Sequence, residues 1–294
     1  MLSAHQKQNT AWLFLLPMLG IMLLVTAWPL VRTVWLSFTE TGLASDGIGT
    51  WVGLRNFATA LGDEEFRAGF GRTLYFTLLS VGLETVIGVL VALLLNQQFR
   101  GRFLMRALLV LPWALPTIVN AMMWRLIYNP EYGSLNALLT QLGLLAEYRS
   151  WLGDPESAMN MVILADVWKN YPIIAMIALA ALQTVPADLY EAARLDGANA
   201  LQRFFHITLP SILGPLIVGL VLRTIEAFRV FDLIYVMTRG GPADSTKTVS
   251  FYVYQESFSY MNAGSGAAYA VAVVGFSALL IGGYIYLLRR QQGA

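Results

Sequence analysis

Apolar runs long enough to cross a lipid bilayer recur along the chain and are separated by shorter polar segments. A membrane-spanning helix needs about 20 predominantly apolar residues. Six segments meet this requirement, at residues 11–38, 73–95, 106–128, 159–182, 211–236 and 267–288. The pattern predicts an all-α integral membrane fold with six transmembrane helices, in a single domain that covers residues 1–294. We interpret the first run as a retained span, because it is longer than the apolar core of a cleavable signal peptide.

The composition agrees with a membrane location and narrows the chemistry. Hydrophobic residues make up 57% of the chain and charged residues 13%, whereas soluble domains carry about 25% charged residues. The chain has no cysteine, which excludes disulfides, thiolate metal sites and thiol nucleophiles. A net charge of +1 argues against nucleic acid as a partner. His5 and His206 lack neighbours suited to a metal site, and no catalytic group is evident, so we predict no metal and no catalytic residue.

The distribution of Lys and Arg predicts the orientation in the membrane. Two tails and two short connections carry eight of these residues, at Lys7, Arg100, Arg102, Arg106, Arg194, Arg203, Arg289 and Arg290. The opposite side carries six in three longer loops, at Arg55, Arg67, Arg72, Arg149, Arg239 and Lys247. Because short cytoplasmic segments are enriched in Lys and Arg, both termini are predicted to be cytoplasmic.

The cytoplasmic connection between the fourth and fifth spans, residues 185–210, is polar and carries a stripe of small residues. Ala193, Gly197 and Ala200 are spaced i, i+4, i+7, so they form a strip that lets another backbone approach closely. We expect Thr184 to cap a first short helix. Gly197 is expected to bend or end this helix, and Pro210 to stop a second short helix before the fifth span.

Two interpretations of this connection remain open from composition alone. It could be a plug that fits a groove in another protein. It could equally be an amphipathic helix on the lipid headgroups, held by Leu189, Tyr190, Phe204 and Phe205. Both use the same apolar and charged residues.

The residues in this connection also carry a resemblance to a known family. Glu191, Ala192 and Ala193 are followed by Gly197 and, after nine intervening residues, by Ile207, Leu209 and Pro210. This spacing resembles the EAA motif of the integral-membrane permease subunits of binding-protein-dependent ABC importers. Three further stretches resemble the branch that imports maltose-type and glycerol-phosphate-type substrates: WVGLRNF at 51–57, NQQFRGRFLMRALLVLPWALP at 96–116 and TRGGPADSTKT at 238–248.

The resemblance implies a role for the connection, which we call the coupling segment (residues 185–210). Such a segment docks in a cleft of a separate cytoplasmic ATPase, with Glu191 as its polar anchor, Ala192 and Ala193 as its close-packed face and Gly197 as its turn. Asp196 adds charge at the border. The chain has no GxxxxGK[ST] phosphate loop, so it is not itself the ATPase. No cofactor is expected in this chain, and ATP and Mg²⁺ would bind to the partner.

The resemblance also implies an assembly in a bacterial-type inner membrane. Its expected members are this chain, a second related permease that forms a heterodimer with it, two ATPase subunits and an extracytoplasmic solute-binding protein. The expected substrate is a sugar or sugar derivative.

Polar side chains inside the spans are candidates for the substrate path. An ionised group at the bilayer centre costs about 2.5 to 3.5 kcal/mol on insertion scales, so it usually faces a cavity or a partner. We interpret Glu84, Arg125 and Asp166 mainly as members of structural ion pairs. A sugar binds to amides, charged groups and aromatic faces, and this mixture selects Asn120, Trp124, Trp168, Lys169, Asn170, Tyr171 and Glu226. Because Lys169 and Arg223 are positively charged, an anionic sugar remains an alternative substrate.

Two other classes of protein could use the same buried charges. An ion-coupled secondary transporter or channel subunit would couple them to an ion gradient without an ATPase. An intramembrane enzyme would use them as acid and base.

Overall fold

The computed structural model describes residues 4–42 and 49–292, and helices account for 76% of it. In chain order the helices are α1 Ala4–Met22, α2 Trp28–Leu36, α3 Arg55–Gly62, α4 Glu64–Asn96, α5 Arg102–Ala114, α6 Thr117–Ile127, α7 Ser134–Gln141, α8 Pro155–Leu182, α9 Ala187–Leu195, α10 Ala200–Arg203, α11 Leu209–Phe228, α12 Asp232–Met237, α13 Val249–Tyr254 and α14 Ala263–Gln292. Wider π-helical turns occupy Leu23–Ala27, Phe204–Thr208 and Gln255–Ser259. Strands β1 Thr39–Glu40 and β2 Thr50–Trp51 form an antiparallel pair.

The prediction of an all-α membrane fold is confirmed. Within the described residues, five helical stretches are long and apolar enough to cross a membrane, at Phe14–Leu36, Glu64–Asn96, Pro155–Leu182, Ala200–Phe228 and Ala263–Tyr284. The pair α5 and α6 provides a sixth crossing if the two helices are counted as one broken span.

The third predicted span, residues 106–128, is bent into two helices. The axes of α5 and α6 meet at 94°. Leu115 between them is extended, with φ −70° and ψ 136°, because a proline disfavours helical geometry in the residue before it and Pro116 follows.

The helix of the fifth predicted span, residues 211–236, also has different limits. It begins at Ala200, inside the coupling segment, and ends at Phe228. Three residues then leave helical geometry before α12 begins at Asp232. Arg229, within this interruption, and Asp232, directly after it, are exposed.

The chain forms two compact units. Unit 1 comprises Met1–Phe66 and Val253–Gly275. An aromatic cluster lies at its β1–β2 hairpin: the Phe38 and Trp51 rings stack with centroids 5.4 Å apart, and the Trp35 ring centroid lies 5.2 Å from that of Trp51. The buried Asn56 amide fixes the hairpin by donating to the backbone oxygens of Ser37 (3.0 Å) and Thr39 (2.9 Å).

Unit 2 comprises Arg67–Tyr252 and Phe276–Ala294 and is organised around α8. Helix α8 packs against α5 and α11, and 15 of its 28 residues are buried. Two apolar clusters lie along it. The first includes Phe76, Val162 and Ile234, and the second includes Leu95 and Ile212. A helix in such a central position is expected to be apolar on most of its surface, and Asp166, Lys169 and Asn170 are the polar exceptions near the middle of α8.

Candidate functional site

The first short helix of the coupling segment, α9, begins without a side-chain cap. Its N-cap is Pro186, and Asp188 lies in the first turn, where a negative charge is favourable. The expected cap by Thr184 is wrong. The Thr184 hydroxyl instead donates back to the Ala181 carbonyl at 2.8 Å, an oxygen at the end of α8 that also accepts from the Thr184 N–H at 3.1 Å.

Gly197 follows the end of α9 in a left-handed conformation, which glycine favours. Its φ is +80°, a left-handed conformation that costs glycine no steric strain. The Gly197 N–H donates to the Arg194 oxygen (3.1 Å) and the Ala198 N–H donates to the Ala193 oxygen (2.9 Å), which is the bond pair of a Schellman motif. Asn199 and Gln202 then exchange bonds of 2.9 and 2.8 Å in a capping box that begins α10.

The predicted stop at Pro210 is wrong. Helix α10 continues through the π-helical turn Phe204–Thr208 into α11, so one helical stretch runs over Ala200–Phe228. In this turn the Leu209 N–H donates to the Phe204 oxygen, five residues back. The wider turn changes the bonding register just before the proline ring, which has no N–H to contribute. Pro210 therefore lies in the first turn of α11 without ending the helix.

The two short helices border an open concavity of about 340 Å³. Its lining residues are Ala193, Asp196, Gly197, Ala198, Gln202, Arg203, His206 and Ile207. Three predicted coupling residues, Ala193, Asp196 and Gly197, thus share one surface. Glu191 and Ala192 are exposed on the preceding turn and lie outside this lining.

A second, polar pocket of about 330 Å³ lies in unit 2 where α8, the end of α11 and the first turn of α6 meet. It is lined by Trp113, Thr117, Asp166, Lys169, Asn170, Arg223, Glu226, Arg229, Val230, Phe231, Asp232 and Leu233. Three predicted substrate residues, Lys169, Asn170 and Glu226, are brought together here. The pocket combines charged groups, an amide and two aromatic rings.

The centre of the pocket wall is Arg223, which contacts three carboxylates. Its Nε and Nη2 donate to the two oxygens of Glu84 at 2.7 and 2.8 Å. Nη2 also donates to Asp166 Oδ2 at 3.1 Å, and Nη1 donates to Glu226 Oε2 at 2.8 Å. Asp166 accepts a further bond of 2.8 Å from the Asn170 amide. Glu84 and Asp166 therefore form ion pairs, as we interpreted them from the sequence. Arg125 donates a hydrogen bond of 3.4 Å to the Val236 backbone oxygen.

The other four predicted substrate residues do not line this pocket. Asn120 is buried and donates to the Ala165 oxygen at 3.3 Å. Trp124 and Trp168 meet edge to face with ring centroids 5.9 Å apart, and Tyr171 packs against the second apolar cluster. They lie on α6 and α8 and turn toward packed interfaces.

Sequence reasoning missed part of the pocket lining. Trp113 and Thr117 reach it because the chain bends at Leu115–Pro116, and Arg229, Phe231 and Asp232 reach it because α11 ends at Phe228. The Leu115–Pro116 pair in the sequence indicates the bend that brings Trp113 and Thr117 to the pocket. No comparable signal marks the end of α11.

Comparison with known proteins agrees with this arrangement. Residues 84–292 match the family described as binding-protein-dependent transport system inner membrane component, a stretch that contains both the coupling segment and the polar pocket. The chain belongs to this family. It is therefore a permease of the ABC-importer type, as the EAA-like spacing predicted.

Relatives and solved structures extend the likeness to nearly the whole permease. The chain is 40% identical over 284 residues to the trehalose/maltose transport system permease protein MalF of Thermococcus litoralis, covering 96% of this chain and 94% of that protein. It is 35% identical over 281 residues to the sulfoquinovosyl glycerol transport system permease protein SmoG of Agrobacterium fabrum, covering 96% and 91%.

The fold of the permease also matches solved transporters. A bacterial ABC transporter involved in the import of the acidic polysaccharide alginate matches with a TM-score of 0.82 at 23% identity, over 97% of this chain and 96% of that chain. The MetNI methionine ABC transporter matches with a TM-score of 0.55 at 20% identity, over 76% and 94%. At these identities the matches establish the fold alone.

Proposed function

We propose that this permease is the membrane-spanning half of an ATP-driven importer for a sugar or sugar derivative that an extracytoplasmic binding protein delivers. The observation that carries the proposal is the exposed two-helix coupling segment with its left-handed Gly197. It occurs in a chain whose nearly full-length relatives are named for the transport of trehalose, maltose and sulfoquinovosyl glycerol. An ion-coupled carrier would not need such a segment.

In the proposed mechanism the coupling segment docks on a cytoplasmic ATPase subunit. Glu191 and Asp196 are exposed carboxylates on the side of α9 that leads to Gly197, and they are suited to basic groups of a partner. Ala192, Ala193 and Gly197 add little bulk, so the partner backbone can approach closely. ATP and Mg²⁺ bind to the ATPase, and its closure moves the coupling segment.

The proposed assembly contains two related permeases, two ATPases and the binding protein in a bacterial-type inner membrane. Both termini of this chain lie in the cytoplasm, and residues 1–294 form one transport domain. ATP-driven movement of the coupling segments alternates the access of the central cavity, because the nucleotide favours one of the two states. The second permease completes the cavity.

The polar pocket is the proposed substrate site. Its volume of about 330 Å³ lies within the 300–1,000 Å³ range of small-molecule sites. Lys169, Asn170 and Glu226 offer hydrogen bonds to hydroxyl groups, and Phe231 and Trp113 offer ring faces. We assign Asn120, Trp124, Trp168 and Tyr171 to the helix contacts that support this wall.

The coupling proposal is tested by retention of the ATPase. The permease, expressed with its genomic partners, is purified as wild type and as Gly197→Trp, Glu191→Lys and Gly143→Trp variants. Gly143 has φ +68°, and an added Cβ atom would meet nothing within 4 Å, so its variant is a control for strain in a left-handed glycine. We expect the ATPase to be retained by wild type and the control and lost from the other two.

The substrate proposal is tested by uptake in the same preparations. Asn170→Ala is expected to impair sugar uptake while leaving the ATPase bound, because Asn170 lies in the pocket and far from the coupling segment along α8. Retention of the ATPase by Gly197→Trp with normal uptake would refute the coupling role. Uptake that depends on an ion gradient and not on ATP would instead indicate a secondary transporter.

A further inference from the structure

The hydrogen bonds of Arg223 leave it almost no capacity to bind a substrate. A guanidinium has five N–H donors, and four of them are directed at carboxylates: two at Glu84, one at Asp166 and one at Glu226. The side chain of Arg223 is 5% exposed. Its positive charge is therefore neutralised within the protein before any solute arrives.

The three carboxylates differ in what they present to the pocket. Glu84 is fully buried, directs both oxygens at Arg223 and does not line the pocket. Asp166 and Glu226 do line it, and the side chain of Glu226 is 64% exposed. A carboxylate oxygen can accept two hydrogen bonds, so each of these two groups keeps acceptor positions toward the pocket after binding Arg223.

The charge balance of the pocket is unfavourable to an anion. The cations in and behind its wall are Lys169, Arg223 and Arg229, and the carboxylates are Glu84, Asp166, Glu226 and Asp232. The carboxylates outnumber the cations by one. An additional negative group would therefore meet net electrostatic repulsion from the lining.

We propose that Arg223 is a positioning residue that holds Asp166 and Glu226 as acceptors for the hydroxyl groups of an uncharged polyol, and that the site selects against anionic solutes. The proposal rests on the polar pocket being the substrate site of the proposed function. Arg223 itself does not bind the solute. Glu84 fixes the guanidinium from behind and sets its plane.

Equilibrium binding to the full chain, reconstituted with its partner subunits in nanodiscs without the external binding protein, tests the selectivity. The probes are trehalose and maltose with their 6-phosphates, matched pairs that differ in one anionic group. For wild type we expect the neutral sugar of a pair to bind at least tenfold more tightly. Tighter binding of the phosphate would overturn the proposal, and so would the absence of measurable binding by every probe.

Two variants separate positioning from a purely structural role. Glu226→Gln removes an oriented charged acceptor and one negative charge. We expect it to weaken binding of the neutral sugar by about tenfold, in line with the range for hydrogen bonds to charged groups, and to strengthen binding of the phosphate. A variant that merely loosened the fold would weaken both. Glu226 is exposed, so this variant is expected to fold, and Glu131→Gln in an outer loop is the matched control.

Arg223→Lys completes the test. A lysine ammonium cannot engage Glu84 through two parallel bonds and also reach the other carboxylates, so the neutral sugar should bind at least tenfold more weakly. If Arg223 instead bound an anionic group, wild type would prefer the phosphate and this variant would lose that preference. Neutral-sugar binding that is unchanged in Glu226→Gln overturns the proposal, while retention of the ATPase by the wild-type complex continues to support the proposed importer.

Discussion

Alanine at Gly88 is expected to destabilise the packing of α4 against α8. A Cβ atom at Gly88 would lie 2.8 Å from Ile174 Cγ2, 2.9 Å from Ile174 Cβ and 3.0 Å from the backbone nitrogen of Ala175. All three distances are too short for ordinary contact. Because the last atom belongs to the backbone of α8, the clash cannot be relieved by turning a side chain, and the two helices must separate.

The matched control is Gly82→Ala on the same helix, where a new Cβ atom would meet nothing within 4 Å. Both substitutions gain about 0.5–1 kcal/mol of helix propensity, so this contribution cancels in the comparison. Overpacking costs about 1–3 kcal/mol. We therefore expect Gly88→Ala to be less stable than Gly82→Ala by about 1–3 kcal/mol.

A second pair of glycines, on α11, tests whether the loss of stability depends on which atom the new Cβ meets. A Cβ atom at Gly219 would lie 2.8 Å from Ile177 Cδ1, the end of a flexible side chain, and one at Gly214 would meet nothing within 4 Å. A forced side-chain rotation costs about 0.5–1.5 kcal/mol. Gly219→Ala should therefore show a smaller loss against Gly214→Ala than Gly88→Ala shows against its own control.

Equilibrium unfolding in mixed detergent micelles, followed by far-UV circular dichroism and tryptophan fluorescence, measures these differences. The expected order of stability is Gly82→Ala and Gly214→Ala first, Gly219→Ala next and Gly88→Ala last. Equal stability of Gly88→Ala and Gly82→Ala would refute the close approach of α4 and α8, and with it the contact on which the position of Glu84 beside Arg223 depends.

Two further predictions concern the ends of the spans. The pKa of Asp154 is lowered chiefly because its carboxylate accepts from the Glu156 backbone N–H (3.1 Å), with help from Ser157. A lowered pKa stabilises the fold above the ordinary Asp value of about 4, and this contribution disappears as the pH falls through the folded-state value. The hydrogen-exchange rates of the first backbone amides of α8 should thus differ between wild type and Asp154→Ala at pH 7 but not in strong acid. A difference that persists in strong acid would contradict the capping role of the Asp154 carboxylate. The chain has no cysteine, so a single thiol introduced as Arg100→Cys or Glu147→Cys reports the orientation of the chain in the membrane. A membrane-impermeant maleimide added outside the cell should label only the Glu147→Cys variant. Labelling of only the Arg100→Cys variant would contradict the proposed topology.

The membrane fold and the turn at Gly197 could be predicted because both depend on local information. Hydropathy over about 20 residues identifies a span without knowledge of its neighbours. A glycine after a short charged helix is typical of a left-handed cap, and the structure has this cap at Gly197. The match of residues 84–292 to the permease family confirms the family that the EAA-like spacing indicated.

The polar pocket could be predicted only in part because it is assembled from distant segments. Glu84 and Arg223 are 139 residues apart, and Asp166 and Arg223 are 57 apart. The residue types indicated that each charged side chain needs a partner inside the membrane. They did not indicate that the guanidinium of Arg223 binds three carboxylates. Trp124 and Trp168 carry chemistry suited to sugars, yet helix rotation directs them at each other.

The failure of Pro210 to stop its helix changes how the two proposed sites are connected. The stretch Ala200–Phe228 begins in the coupling segment and carries Arg223 and Glu226 near its other end. At a rise of about 1.5 Å per residue, Gln202 and Arg223 are separated by roughly 30 Å along this one helix. Under the proposed function, a displacement of the coupling segment would therefore be transmitted to the pocket without an intervening loop. The π-helical turn Phe204–Thr208 is the point along the path where the bonding register changes, and such turns frequently accompany functional sites. In the proposed mechanism, a shift of this helix as the ATPase closes would move Glu226 relative to Asp166 and Asn170 on α8 and open the ring of acceptors that holds the solute.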